Sequence, residues 1–389
     1  MYNRVMFPFG RNVKLAVPRK LEDKALVLGR DDLRFFDGRS NPAFTRDIVS
    51  LIEKDYSAAQ TSGKDYDSCS YSMLAISGGS SDGAYGAGII KGWTESGTRP
   101  VFKAVTGIST GALIAPLAFL GKEYDDVLER FYTRTSAKDI LRYKGPLRVI
   151  LGNSLTSNHP LEKIIRTIVT KDLLRKIAEE RSKGRGLYVG TTNFDAQRLV
   201  VWNMGKIAAV GNDEAMDLFC RVILASTAIP AVFPPVFIDV QAEGKRYKEM
   251  HLDGGALTQV FFLYGALKDL KEMAADRNID MSQIRIKLYL ILNGYLLPRW
   301  KAVKDDLISI YGRYNDTQCL AQNWGDLYRL YHFSKEFGHE FNAAYIPRSF
   351  KPETEEEFNS GNMNRLFELG YDQAKAGYPW TRAIDSIVL

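Results

Sequence analysis

Ser109 lies in Gly-Ile-Ser-Thr-Gly, residues 107–111. A Gly-x-Ser-x-Gly run between a short apolar segment and a helix-forming one has the form of a nucleophile elbow. Gly107 and Gly111 leave steric room for the tight turn. The serine is thrust out at a helix N-terminus, where partial positive charge favours an oxyanion. The chemistry would be attack by Ser109 on a carbonyl carbon. A second candidate is SGGSSDGAYGAG, residues 77–88, whose uncovered backbone N–H groups can hold a phosphate or an oxyanion. The amides near Gly79 and Ser80 are its natural donors. The third candidate is LDGGA, residues 252–256. A turn through Gly254 and Gly255 would hold Asp253 rigidly at a strand end, as a general base toward Ser109.

Other chemistries fit less well. The glycines of 77–88 do not meet the dinucleotide pattern, and Gly88 is followed by Ile89 rather than the lysine of a phosphate loop. Four histidines are present: His159, His251, His332 and His339. The order Ser, acid, His of an α/β-hydrolase would call on His332 or His339, which sit in an aromatic helical stretch with no strand end to present them. His251 shares a strand face with Asp253 and could tune it. No HExxH or other clustered metal-ligand spacing occurs, so no metal is expected.

The elements around these motifs alternate strand and helix. Residues 71–77 read as a buried strand entering the glycine loop, 84–93 as a helix, 101–107 as a second strand and 112–120 as a second helix. Amphipathic helices are expected over 123–134 and 160–182, paired strands over 186–194 and 198–204, and a helix over 213–227. A short strand over 248–256, a helix over 259–276, a strong strand over 284–294 and a helical region over 300–345 complete the reading. This alternation predicts an α/β fold with a central, mostly parallel sheet flanked by helices, and ligands bound beyond the strand C-terminal ends. Residues 1–65 are expected as an N-terminal extension packed on the core, 66–300 as the catalytic domain, and 301–389 as a helical C-terminal region of the same globule.

Composition sets outer bounds. Hydrophobic residues make up 45% and charged residues 25%, which supports a sizeable core and argues against wholesale disorder. A net charge of +6 is mild for 389 residues, and no basic helix with interleaved aromatics points to nucleic acid. The basic run over 163–185 is either a solvated helix face or a weak attraction to an anionic membrane. Three well-separated cysteines, Cys69, Cys220 and Cys319, suit free thiols better than a disulfide framework. Two long uncharged runs, 104–121 and 222–238, are crowded with Gly, Ser, Thr or Pro and do not read as membrane spans. No signal peptide is visible at the N-terminus, so a soluble or peripheral protein is expected.

The three motifs in this order, with ASTAIPAVFPPV (225–236) before the Asp-Gly-Gly, resemble the patatin-like phospholipase family over roughly residues 71–295. The glycine loop is similar in style to that of bacterial members. The resemblance implies a three-layer α/β/α fold and a lipid acyl hydrolase of phospholipase A or lysophospholipase type. It implies a Ser109–Asp253 dyad without histidine or calcium, an oxyanion hole lined by Gly78, Gly79 and Ser80, and phospholipid or other acyl-ester substrates with peripheral membrane contact. The chain departs from the family loop at two places: Ser80 stands for the third glycine and Asp82 for a basic residue. A Ser-His-Asp carboxylesterase and a degenerate lipid-binding protein are the alternative readings.

Overall fold

The computed structural model describes residues 16–37, 42–61, 70–145, 152–262, 285–354 and 356–387, with the isolated positions 149, 273 and 276. Its strands are β1 (Arg34–Phe36), β2 (Ser70–Ile76), β3 (Ala104–Ile108), β4 (Arg142–Tyr143), β5 (Thr156–Ser157), β6 (Gly186–Asn193), β7 (Arg198–Asn203), β8 (Val236–Ala242), β9 (Lys245–Asp253), β10 (Arg285–Leu292) and β11 (Glu340–Tyr345). The helices are α1 (Pro42–Thr61), α2 (Gly83–Glu95), α3 (Thr110–Leu120), α4 (Asp125–Arg134), α5 (Ala137–Ile140), α6 (His159–Ile168), α7 (Lys171–Ser182), α8 (Met204–Val210), α9 (Asp213–Ser226), α10 (Leu307–Glu336) and α11 (Ser360–Lys375).

The main sheet runs β1-β7-β6-β3-β2-β10-β11. From β6 to β11 its neighbours are parallel; β7 and β1 extend it by antiparallel pairs. Parallel strands need both faces covered, and both are. Leu74 and Ile76 of β2 point into a core shared with α2, α3 and α4, while Ala75 between them joins Val49 and Ile52 of α1 and Leu327 and Leu330 of α10. The result is a mixed sheet of mostly parallel strands flanked by helices, the three-layer α/β/α arrangement. β1 and α1 come from the first sixty-odd residues, and β11 and α11 from the last ninety, so both ends of the described chain pack onto this sheet.

The β8–β9 hairpin branches from β6. Strand β3 pairs with β6 only as far as Gly190, and β9 then takes over with Thr191 opposite Asp253. The two strand ends therefore abut on neighbouring residues of β6.

Several expected elements shift. Residues 340–345 form strand β11, not helix: Gly338 (φ 69°) ends α10, and the short FNAAY run pairs in parallel with β10. Residues 160–182 are two helices, because the Thr170 hydroxyl accepts from the Leu173 amide and starts a new one. Strand β8 was not foreseen, although VFIDVQA alternates buried and exposed along its length. Residues 259–262 are irregular rather than helical; the expected helix beyond them lies largely outside the described residues, as does Cys69.

Candidate active site

The elbow is built by close backbone approach. A Cβ at Gly107 would overlap the Gly111 carbonyl, and one at Gly111 would overlap the Ile76 carbonyl. Between them Ser109 adopts φ 53° and ψ −122°, a region that a side-chain-bearing residue rarely occupies. Ser226 of α9 holds this strained turn: its hydroxyl accepts from the Ser109 amide at 2.9 Å and donates to the Gly190 carbonyl at 2.7 Å. Tyr132 of α4 bonds the Thr110 hydroxyl from the other side.

Asp253 reaches Ser109 across 144 residues of sequence. The Ser109 hydroxyl donates to Asp253 Oδ2 at 2.6 Å, and the Gly255 amide donates to Oδ1 at 2.7 Å. The Thr192 hydroxyl anchors the Asp253 carbonyl at 2.9 Å. Gly254 is needed because a Cβ there would press on the Gly190 carbonyl. Burial pushes the Asp253 carboxyl up to about 7, and the hydrogen bonds from Ser109 and Gly255 only partly oppose it.

The glycine loop lies against the serine; a Cβ at Gly78 would stand 3.3 Å from that of Ser109. The Gly78 amide is committed to the Gln259 carbonyl at 2.9 Å, so Gly78 supplies wall rather than a free donor. Among the described residues the Gly79 and Ser80 amides meet no backbone acceptor. Gly79 has φ 149°, and a Cβ on it would overlap the Asn293 carbonyl. Asn293 in turn bonds the Ser77 carbonyl and the Gly86 amide, each at 3.0 Å, and so fixes the loop to the end of β10. The Ser80 and Ser81 hydroxyls donate to Glu357 at 3.1 Å. Asp82, which stands where the family loop carries a basic residue, is raised to about 7 by burial and by the nearby Glu357.

Ser109 lines a cleft with about 420 Å³ of empty space, part of it open to solvent, whose other walls are largely apolar, including Phe131, Leu161, Ile229, Phe233 and Met363. The segment 222–238 thus supplies part of the wall, whereas Phe261 and Phe262 pack in separate cores. The histidines stand apart from the Ser109 hydroxyl. His332 packs on Tyr328 and Tyr331, and His339 stacks on Phe337. His251 is buried between the Thr191 hydroxyl and Glu249. Among the described residues no three His, Cys, Asp or Glu side chains converge to hold a metal, and no helix is long and apolar enough to cross a membrane. The basic run is largely engaged locally: Arg166 pairs with Glu162 and Asp217, Arg175 with Asp172 and Glu179, and Arg185 with Glu180.

Three residues that sequence reasoning did not single out hold the arrangement together: Ser226, Asn293 and Gln259. Each acts through backbone carbonyls or amides, which leave no motif. Ser226 lay within the quoted block 225–236, but nothing in the block marked it.

An α/β/α fold with a serine elbow bonded to a buried carboxylate at the sheet's C-terminal edge defines the class. Residues 74–264 match the family model for patatin-like phospholipases, and the chain carries a patatin-like phospholipase domain over these residues. No curated protein matches the chain. Among solved structures, VipD from Legionella pneumophila is similar at 14% identity and a TM-score of 0.39, over 79% of this chain and 66% of that one. The chain thus spans just under two thirds of that protein, and the likeness is too distant to define an activity.

Proposed function

We propose that this protein is a lipid acyl hydrolase of phospholipase A or lysophospholipase type. The observation that carries the reading is the 2.6 Å bond from Ser109, on the wall of an apolar cavity, to an Asp253 carboxyl poised near neutrality. The patatin-like domain supports the lipid substrate class.

In this mechanism the acyl chain enters the apolar cavity and its ester carbonyl meets Ser109. Ionised Asp253 takes the hydroxyl proton as the oxygen attacks, and the C–O bond forms. Charge on the tetrahedral oxygen is met by the amides of Gly79 and Ser80, each contributing about 3 kcal/mol. Collapse expels the lysolipid or alcohol, which receives the proton from Asp253. Water then gives a proton to Asp253 and attacks the acyl carbon; the bond to the Ser109 oxygen breaks, that oxygen takes the proton back from Asp253, and the fatty acid leaves. No step calls on calcium, so a chelator is expected to leave the rate unchanged.

Labelling with a fluorophosphonate, mapped by mass spectrometry, tests the reading. The reagent is expected on Ser109 and absent from Ser109→Ala. A folded wild-type chain that takes no label would favour the degenerate lipid-binding alternative. The Ser-His-Asp alternative requires His332→Ala or His339→Ala to be inactive; the dyad predicts rates within about twofold of wild type.

A further inference from the structure

Helix α10 packs beside the site through Tyr311 and Gln322, and its outward side is apolar. Leu307, Ile310 and Tyr314 recur at three- and four-residue steps on one helix face. Leu307 is 83% exposed and the adjoining Ile308 67%. Trp300, 91% exposed, and Val303 extend the patch through the preceding segment, which is tied to the helix by Arg313 donating to the Arg299 carbonyl at 2.7 Å. The inward side of the same helix serves the site. The Tyr311 hydroxyl donates to the Pro230 carbonyl at 2.8 Å, beside the cavity-lining Ile229. Further along, Gln322 accepts from Gln259, which also donates to the Gly255 carbonyl.

An exposed apolar patch of this kind marks an interaction surface. Its composition and place select the partner. Residues 299–304, RWKAVK, hold three cations and no acid; Arg299 rests on the Tyr295 ring and faces Glu357, so the outward charge comes from the segment's lysines. Asp305 and Asp306 follow, but Asp306 is turned onto the Ser309 amide as a helix cap. Aromatic and aliphatic anchors interleaved with lysines suit a headgroup layer, where the rings and methyls enter the acyl boundary and the amines reach phosphates. The patch also lies on the helix whose Tyr311 bonds the Pro230 carbonyl, next to the cavity-lining Ile229.

We propose that residues 299–314 are a lipid-docking surface that seats the mouth of the cavity on an anionic bilayer. The inference rests on the hydrolase reading for its purpose, because a substrate embedded in that bilayer would then reach Ser109 without crossing water.

Co-sedimentation with vesicles of mixed phosphatidylcholine and phosphatidylglycerol tests it, using Ser109→Ala so that no lipid is consumed. Adding Trp300→Ala and Ile308→Ser to that chain is expected to reduce the bound fraction about tenfold or more. With Ser109 intact, the same two changes should lower vesicle hydrolysis alike and leave a short water-soluble ester unaffected. Three results would overturn the proposal: equal binding of both chains, no binding by either, or a dimer in lipid-free solution that the two changes convert to monomer. Failure to cleave the soluble ester at all would sink the hydrolase reading instead, while the vesicle assay would still decide the docking surface.

Discussion

Glu249 and Asp253 lie on one strand and one face of β9, and both are buried, at 1% and 4% exposure. Their chemistry diverges. Burial alone would raise Glu249, but the charge of Arg34 and the hydrogen bonds from His251 and Arg34 hold it down to about 2. Arg34 grips both oxygens of Glu249 and rests on the rings of Phe36 and Trp202. Asp253 is given only neutral donors, a hydroxyl and an amide, and burial lifts it to about 7. The same depth therefore yields a structural ion pair at one residue and a basic carboxylate at the other. The charge of the partner, not the burial, separates them.

The contrast can be pressed from the strongest effect downward. Asp253 must be ionised to accept a proton, so kcat/KM for a soluble ester should fall about tenfold per pH unit below about pH 7. A profile flat from pH 5 to pH 8 would remove Asp253 from the role. Next in size, Arg34→Met leaves Glu249 buried without its cation. Urea unfolding at neutral pH should show a loss of about 3 to 5 kcal/mol, with the folded fraction still active; an unchanged midpoint would show that the pair contributes nothing.

The smallest effect is a difference in sign. The folded pKa of Asp253 is raised, so the native state holds the extra proton. Its contribution to stability is fully present below the ordinary carboxylate value and is lost as pH rises through about 7. The folded pKa of Glu249 is lowered, so its contribution is present above the ordinary value and is lost as pH falls toward about 2. Asp253→Asn should therefore melt higher than wild type at pH 8, by about 1 °C per kcal/mol in a chain of this length, and the gap should close toward pH 4. A lower melting point at pH 8 would contradict the sign.

Much of the site was legible because its chemistry demands local spacing. The elbow around Ser109 and the turn after Asp253 are each set within five residues. What brings them together is not local. Gly190 and Thr191 of β6 receive the ends of β3 and β9 in succession, and a cross-strand register leaves no motif in either partner. The same holds for Ser226, Asn293 and Gln259, whose work is done on carbonyls and amides. Strand β11 was hidden because FNAAY is short and rich in alanine, and follows a 30-residue helix. The commitment of the Gly78 amide to Gln259 likewise depends on a chain segment 181 residues away (259 − 78).

The central claim is that Asp253 activates Ser109. The most direct test is kcat/KM of Asp253→Asn beside wild type at pH 8, on a soluble acyl ester, with folding checked by the cooperative melt. Asparagine can still accept from the Gly255 amide and donate its Nδ2–H to the Ser109 oxygen, but it cannot take a proton at this pH. A fall of about 1,000-fold or more is the expected result. A folded Asp253→Asn protein that turns over at the wild-type rate would contradict the account.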